Sequence, residues 1–307
     1  MKPSLTAREL STQPDAWRRA AATAPGTTGL PRPGERVAVT GCGTSWFMAQ
    51  AYAALREAAG QGETDAFAAS EFPVSRTYDR LVVITRSGTT TEVLNLIEEV
   101  GKRRKVFALT ADPNSPVMRS GAEVAVLDWA DEESVVQTRF ATTALACLRA
   151  GLEAHGGLPA GVKTVTEAAA DAEAALAAPL PDAAPAAEQW TFLGSGWTYG
   201  LALEAALKMR EAAGAWTEAY PAMEYRHGPL AIAGPGRVTW GFGELPRGLA
   251  TDVTRAGGTL LGEDAWGGED PMATLTRTQR LAVRVAEARG LNPDAPKNLT
   301  RSVILAQ

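Results

Sequence analysis

Two groups of residues have types and spacings that could do chemistry. The first is Arg86-Ser87-Gly88-Thr89-Thr90-Thr91, which follows the apolar run Leu81-Val82-Val83-Ile84-Thr85 and leads into a helical period ending at Val100. Hydroxyls, a glycine and an arginine at the start of a helix make an anion site. Orphan N–H groups and the helix dipole favour negative charge there, hydroxyls add donors, and an arginine can bind bidentately. Without a Walker lysine, the cradle suits a small phosphomonoester better than ATP. A plain N-cap would need one hydroxyl only. The second group is Glu204, Lys208 and Glu211, at i, i+4 and i+7 of a helical stretch from Thr198 to Ala213, so all three share one face. By itself this pattern reads as an exposed ion-pair stripe, worth roughly 0.2–0.5 kcal/mol per pair. Sixteen residues beyond Glu211 stands His227, in Glu224-Tyr225-Arg226-His227-Gly228-Pro229. The second histidine, His155, lies in Glu153-Ala154-His155-Gly156-Gly157, where capping a helix C-terminus is role enough.

A further loop, Gly41-Cys42-Gly43-Thr44-Ser45, joins a strand to a helix, the place where open α/β sheets bind ligands. The dinucleotide fingerprint requires a third glycine where this chain has Trp46, which disfavours NAD. Ser45 could serve simply as an N-cap. Cys42 has no histidine nearby in sequence and reads as a small loop residue rather than a nucleophile. The chain has two cysteines and no CxxC or HExxH spacing, so neither a metal nor a cofactor is expected.

The elements that must position these groups repeat. Gly41 and Gly43 recur as Gly194 and Gly196, Glu71-Phe72 as Glu224-Tyr225, and Val106-Phe107-Ala108 as Thr259-Leu260-Leu261, always 153 positions on. A shared offset across three elements reads as a duplicated unit. In the first copy, strands are expected near 37–40, 65–68, 81–85, 105–109 and 123–128, with helical periods such as Met48-Ala51-Tyr52-Leu55 between them. That alternation implies an α/β fold with parallel sheets covered on both faces. An Ala-rich helical stretch near 162–178, broken by Pro179, Pro181 and Pro185, marks the boundary. The second copy lacks the hydroxyl cluster: Arg237-Val238-Thr239-Trp240 runs into Gly241-Phe242-Gly243-Glu244, so one phosphate site is expected per chain.

Composition narrows the partners. The chain has 307 residues, 30 basic and 35 acidic, for a net charge of −5, which argues against nucleic acid or an anionic membrane. The cluster Lys102-Arg103-Arg104-Lys105 lies between a helix end and a strand, where cations complement the helix dipole. No apolar run approaches the roughly 18 residues that span a bilayer. Met1 to Arg19 has charges and no apolar core of a signal peptide, and two lone thiols fit a reducing compartment, so a cytoplasmic protein is expected.

These segments resemble the sugar isomerase (SIS) family, in particular the isomerase half of glucosamine–fructose-6-phosphate aminotransferase and the amino-sugar-phosphate deaminase/isomerases. The resemblance runs over about residues 35 to 305. It rests on Cys42-Gly43-Thr44-Ser45, Ser87-Gly88-Thr89-Thr90, Ser134 to Thr143, Ala206-Leu207-Lys208-Met209-Arg210-Glu211, Glu218-Ala219-Tyr220, His227-Gly228-Pro229-Leu230-Ala231 and Pro296-Lys297-Asn298-Leu299. It implies two tandem SIS domains, each a three-layer αβα, flavodoxin-like parallel sheet. They would occupy residues 31–160 and 188–307, with a helical arm at 1–30 and a linker at 161–187. It also implies a homodimer with active sites at the subunit interface. Gly43, Thr44, Ser45, Ser87, Gly88, Thr89 and Thr90 would hold the sugar phosphate, with Thr85, Arg86, Gln137 and Arg301 lining it. Glu211 would move a proton between C1 and C2, Lys208 would stabilise the enolate oxygen, and His227 would assist ring opening, reaching in from a neighbouring subunit. Burial would raise such a base's pKa towards neutrality. Arg301 stands where the aminotransferase has a lysine; a guanidinium forms no Schiff base, so glutamine-dependent amination is not expected. Isomerisation, deamination at C2 and elimination of the C3 hydroxyl stay open. The rival reading is a non-catalytic sugar-phosphate sensor, against which the presence of both Glu211 and His227 weighs.

Overall fold

The apolar runs become strands, and a glycine-tipped strand lies inside each sheet. A computed structural model describes residues 3–305, apart from the Glu263 side chain. In chain order the elements are α1 (Leu5–Ser11), α2 (Gln13–Thr23), β1 (Val37–Gly41), α3 (Thr44–Ala58), β2 (Thr64–Ala68), β3 (Arg80–Ile84), α4 (Thr91–Val100), β4 (Lys105–Thr110) and β5 (Glu123–Val126), then α5 (Arg139–His155), α6 (Val165–Ala177), α7 (Ala183–Ala186), β6 (Gln189–Gly194), α8 (Thr198–Ala213), β7 (Thr217–Pro221), β8 (Arg237–Phe242), α9 (Leu249–Arg255), β9 (Thr259–Leu261), α10 (Glu263–Trp266) and α11 (Pro271–Ala288). The strands form two parallel sheets flanked by helices, ordered β2-β1-β3-β4-β5 and β7-β6-β8-β9. Register repeats with order: Val37 pairs with Thr64, and Trp190 pairs with Thr217. β1 and β3 are buried along their whole length, as parallel strands covered on both faces must be.

Local chemistry explains the helix limits. Thr164 and Glu167 close a capping box at the start of α6, and Asp270 caps α11 with Pro271 at its first position. α8 ends on Gly214 in the left-handed conformation, φ +57°.

Two sequence expectations change here. The N-terminal stretch is not an arm outside the sheets. α2 packs on α5 and α6, Trp17 is fully buried, and its indole N–H donates to Thr142 Oγ1 at 3.0 Å. The Ala-rich stretch is not a mere linker either. Ala168, Ala169, Ala172 and Ala175 of α6 are all fully buried, and small side chains let this helix lie close to α2 and α11. One apolar cluster therefore runs from Val37 and Val39, through these helices, to Trp190 and Phe192. Smaller clusters lie under α4 in the first half and α9 in the second.

The crossing of α3 and α8 joins the halves most directly. A Cβ on Gly200 would fall 2.5 Å from the Phe47 carbonyl oxygen and 2.8 Å from the Ala51 nitrogen, so only glycine permits this approach. Among the described residues, no helix is long and apolar enough to cross a membrane.

Candidate active site

Two loops leave the carboxyl ends of neighbouring strands β1 and β3 and therefore lie side by side. The β1 loop turns at Gly43, φ +55°, and Gly41 has no room for a Cβ, which would fall 2.6 Å from the Ser45 Cβ. Thr44 opens α3, and Ser45 is the second residue of that helix. Gly43 is the N-cap and no side chain caps the end, so the simple capping role for Ser45 does not hold. In the β3 loop, Gly88 adopts φ +61°, and a Cβ there would strike the Ser115 hydroxyl at 2.2 Å. Thr90 is the N-cap of α4, again without a side-chain capping bond.

The second half delivers the rest through α8. Lys208 is 1% exposed; its ammonium donates to Thr44 Oγ1 at 3.1 Å and pairs with the Glu211 carboxylate. Glu204, fully buried, stands 3.6 Å from the same ammonium, and neither of its carboxyl oxygens has a hydrogen-bond partner among the described residues. The exposed-stripe reading of this helix face is therefore wrong: the face is turned onto α3. Burial pushes the Glu204 carboxyl up to about 8, against the pull of Lys208. Burial opposes the charge on Lys208, but Glu204 and Glu211 outweigh it and hold the ammonium above its ordinary value. Glu204 is a residue that the sequence placed on the face without a role. Glu211 is the member whose side chain reaches solvent, at 20% exposure.

Other expected residues separate into those left open and those engaged. Thr85 Oγ1 and Gln137 Oε1 are buried with no hydrogen-bond partner among the described residues. Thr89 is engaged: its hydroxyl bonds Ser87 Oγ at 2.8 Å and Ser302 Oγ at 3.0 Å. Ser302 belongs to a C-terminal segment lying across the loop, where the Thr91 N–H donates to the Val303 carbonyl at 3.2 Å. Arg86 does not stand free over the loop as expected. It is 2% exposed, and its guanidinium donates to the carbonyls of Ser134, Val135 and Arg301. Burial lowers its pKa, with Glu132 partly offsetting the effect. Arg301 likewise turns to Asp131, at 2.6 Å, and to the Glu132 carbonyl. Both arginines tie down the 131–135 segment. Cys42 is raised to about 11 by burial, which fits a loop residue rather than a thiolate nucleophile.

Residues without a sequence signal complete the support. Glu132 caps α5 by accepting from the N–H groups of Thr138, Arg139 and Phe140. Glu9 of α1 accepts from the Ser134 hydroxyl and from the Glu133 N–H, both at 2.5 Å. Asp294 binds the N–H groups of Leu5 and Thr6 through its carboxylate, and its carbonyl accepts from Val135 N–H at 3.0 Å. His227 is not brought to this cluster within one chain. It is exposed in the 3-10 turn Glu224–His227, anchored by buried Tyr225. His155 turns away from its own helix end, its Nε2 facing Arg32 at 2.8 Å.

No protein-family model matches the chain. It is 27% identical over 327 residues to a glutamine–fructose-6-phosphate aminotransferase of a Nostoc species and 29% identical over 318 residues to that of Idiomarina loihiensis, with 88% of this chain covered each time. The chain spans about half the length of these relatives, 52% and 51%. Among solved structures, a glucosamine-6-phosphate deaminase from Thermotoga maritima superposes with a TM-score of 0.84 at 22% identity, over 98% of this chain and all of that one. The C-terminal domain of the Francisella tularensis aminotransferase gives 0.74 at 20%, covering 95% and 98% of the two chains, and an Escherichia coli tagatose-6-phosphate ketose/aldose isomerase gives 0.77 at 17%, covering 99% and 96%. The chain therefore shares its fold with these solved structures.

Proposed function

We propose that this chain is a SIS enzyme acting on an amino-sugar 6-phosphate, of the glucosamine 6-phosphate or N-acetylglucosamine 6-phosphate class. The observation that carries the reading is the buried Glu204–Lys208–Glu211 face, seated on Thr44 beside a loop rich in hydroxyls at a helix N-terminus. In this reading the phosphate sits against Ser45, Ser87 and Thr90, held by hydroxyls and the dipole of α4. The Glu211 carboxylate removes the proton from C2 of the open-chain sugar. The electron pair moves to the carbonyl oxygen, where the Lys208 ammonium stabilises the developing charge. Three outcomes share that intermediate. Return of the proton to C1 gives isomerisation, and hydrolysis of the resulting C2 imine releases ammonia. Expulsion of the C3 hydroxyl as water gives an unsaturated product. The fructose 6-phosphate in the names of the curated relatives and the glucosamine 6-phosphate in that of the Thermotoga maritima structure support the substrate class. The paired sheets with matching order support two tandem SIS units, and exposed His227 fits a homodimer in which it reaches a neighbouring cleft.

The test is NMR of the protein with glucosamine 6-phosphate and with N-acetylglucosamine 6-phosphate in deuterated water. Exchange at C2 is expected, and ammonia or an unsaturated product would identify the branch. Binding without any exchange would overturn the enzyme reading in favour of a sugar-phosphate sensor.

A further inference from the structure

Arg86 lies inside the β3 loop on which the phosphate reading depends, yet it is 2% exposed and presents almost nothing to an anion entering that loop. Its backbone is fixed to the sheet. The Arg86 carbonyl accepts from the Ala111 N–H at 3.0 Å and from the Thr110 hydroxyl at 3.1 Å, both at the carboxyl end of β4. From that fixed point the guanidinium reaches two segments from other parts of the chain. Nη1 donates to the Ser134 carbonyl at 3.0 Å, and Nη2 donates to the Val135 carbonyl at 3.4 Å and to the Arg301 carbonyl at 3.1 Å. The fork that could grip a phosphate is thus filled by backbone. Its charge is met by the Glu132 carboxylate, 4.0 Å away and equally buried.

The C-terminal segment depends on such polar ties. Val303, Ile304 and Leu305 are more than half exposed, so apolar burial does little to hold it. It is kept on the loop by Thr89 Oγ1 to Ser302 Oγ, by the Thr91 N–H to the Val303 carbonyl, and by the Leu305 N–H to Thr91 Oγ1 at 3.0 Å. Arg301 itself turns back to Asp131 and to the Glu132 carbonyl, which closes a ring of loop, 131–135 segment and C-terminal segment. Ordering backbone in this way costs conformational entropy, so the loss of one tie loosens what the others hold.

We propose that Arg86 is a positioning residue and not an anion ligand: it holds the β3 loop, the 134–135 backbone and the C-terminal segment in one arrangement, so that each loosens when another is released. Only its bearing on affinity rests on the sugar-phosphate reading of the loop.

The experiment measures amide hydrogen exchange by NMR in the full chain and in Arg86→Lys, which keeps a charge beside Glu132 and loses the planar fork. The Val135 N–H, bonded to the Asp294 carbonyl, and the Thr91 N–H, bonded to the Val303 carbonyl, report on the two segments. Both should exchange about ten- to a hundredfold faster in the variant, the worth of one hydrogen bond from a charged donor. The Val82 N–H, inside β3, should change far less. Ser302→Ala removes only the link to Thr89. It should speed Val135 about threefold in the parent chain and add nothing in the Arg86→Lys background, as coupled sites behave. Equal acceleration at Val82 would mean a general loss of stability and overturn the coupling. So would unchanged Val135 and Thr91 in Arg86→Lys, or a Val135 that ignores Ser302→Ala in the parent. Calorimetry with glucosamine 6-phosphate separates the two roles. A positioning residue predicts that Arg86→Lys and Arg86→Gln weaken binding alike. Affinity kept by lysine and lost with glutamine would make Arg86 an anion ligand and overturn the proposal. Absence of binding in the parent chain would count against the sugar-phosphate reading, and the exchange comparison would still decide the role of Arg86.

Discussion

The two glycine loops are built on one plan and used in opposite ways. Gly41 and Gly194 are both too crowded for a Cβ, and Gly43 and Gly196 both turn at φ +55°. Two residues on, the plans part. Ser45 makes no capping bond, whereas Thr198 engages its hydroxyl with the Ser195 N–H and with the carbonyls of Ser195 and Phe242. The first loop leaves its helix end uncapped by a side chain and receives Lys208 from the other half. The second closes on itself and is followed by Gly243-Glu244 rather than hydroxyls. The backbone plan is therefore shared, and the use of one hydroxyl is what sets the two loops apart.

The asymmetry can be broken most severely at Glu211. Glu211→Gln should slow C2 exchange about 10²–10⁴-fold, the usual worth of a positioned base, while sugar-phosphate binding persists in calorimetry. Unchanged exchange would remove the base from the second half. The hydroxyl comparison is sharpened by a pair of variants. Ser45→Ala should weaken sugar-phosphate binding by about 1.5–3 kcal/mol with little change in denaturation midpoint. Thr198→Val should do the reverse, costing about 1–3 kcal/mol of stability by stranding buried partners and leaving that affinity intact. If both variants lose only stability, the two loops are alike and the distinction fails. At the crossing, Gly200→Ala should cost roughly 1–3 kcal/mol in chemical denaturation, because a backbone carbonyl must move. It should also lower kcat by shifting Lys208 from Thr44.

The last effect is a slope rather than a single loss. Glu204 binds its proton more tightly folded than unfolded, so its contribution is complete at acid pH and is lost as pH rises towards its folded value of about 8. Stability should fall between about pH 5 and 8 by at most about 1.4 kcal/mol per pH unit from this group, and Glu204→Gln should flatten that fall. A slope unchanged in the variant would place the proton elsewhere.

Much of this was readable from residues alone, for reasons of length and period. The strand runs and the extent of α8 follow from apolar patterns that only one element type satisfies. The burial of Glu204 and Lys208 does not, because i, i+4, i+7 spacing is the same on a solvated face and on one pressed against α3. That orientation is decided by Gly200, whose small size has no sequence partner to announce it. The destinations of Arg86 and Arg301 were equally hidden, since a long guanidinium reaches backbone carbonyls as readily as a phosphate. Uniform alanine in α6 gives little contrast between faces, so its packing role was invisible. Trp17 lay in a stretch with no sheet around it, yet it fills the common core.

The clamp on the 131–135 segment has a consequence for biosynthesis. All five strands of the first sheet are available once Val126 has emerged. The segment just before Gln137 is held by Glu9 near one end of the chain and by the Asp294 carbonyl near the other. Contacts of such long sequence separation form late. The 131–135 segment can therefore complete its contacts only after Asp294 has been made, well after the last strand of its own sheet.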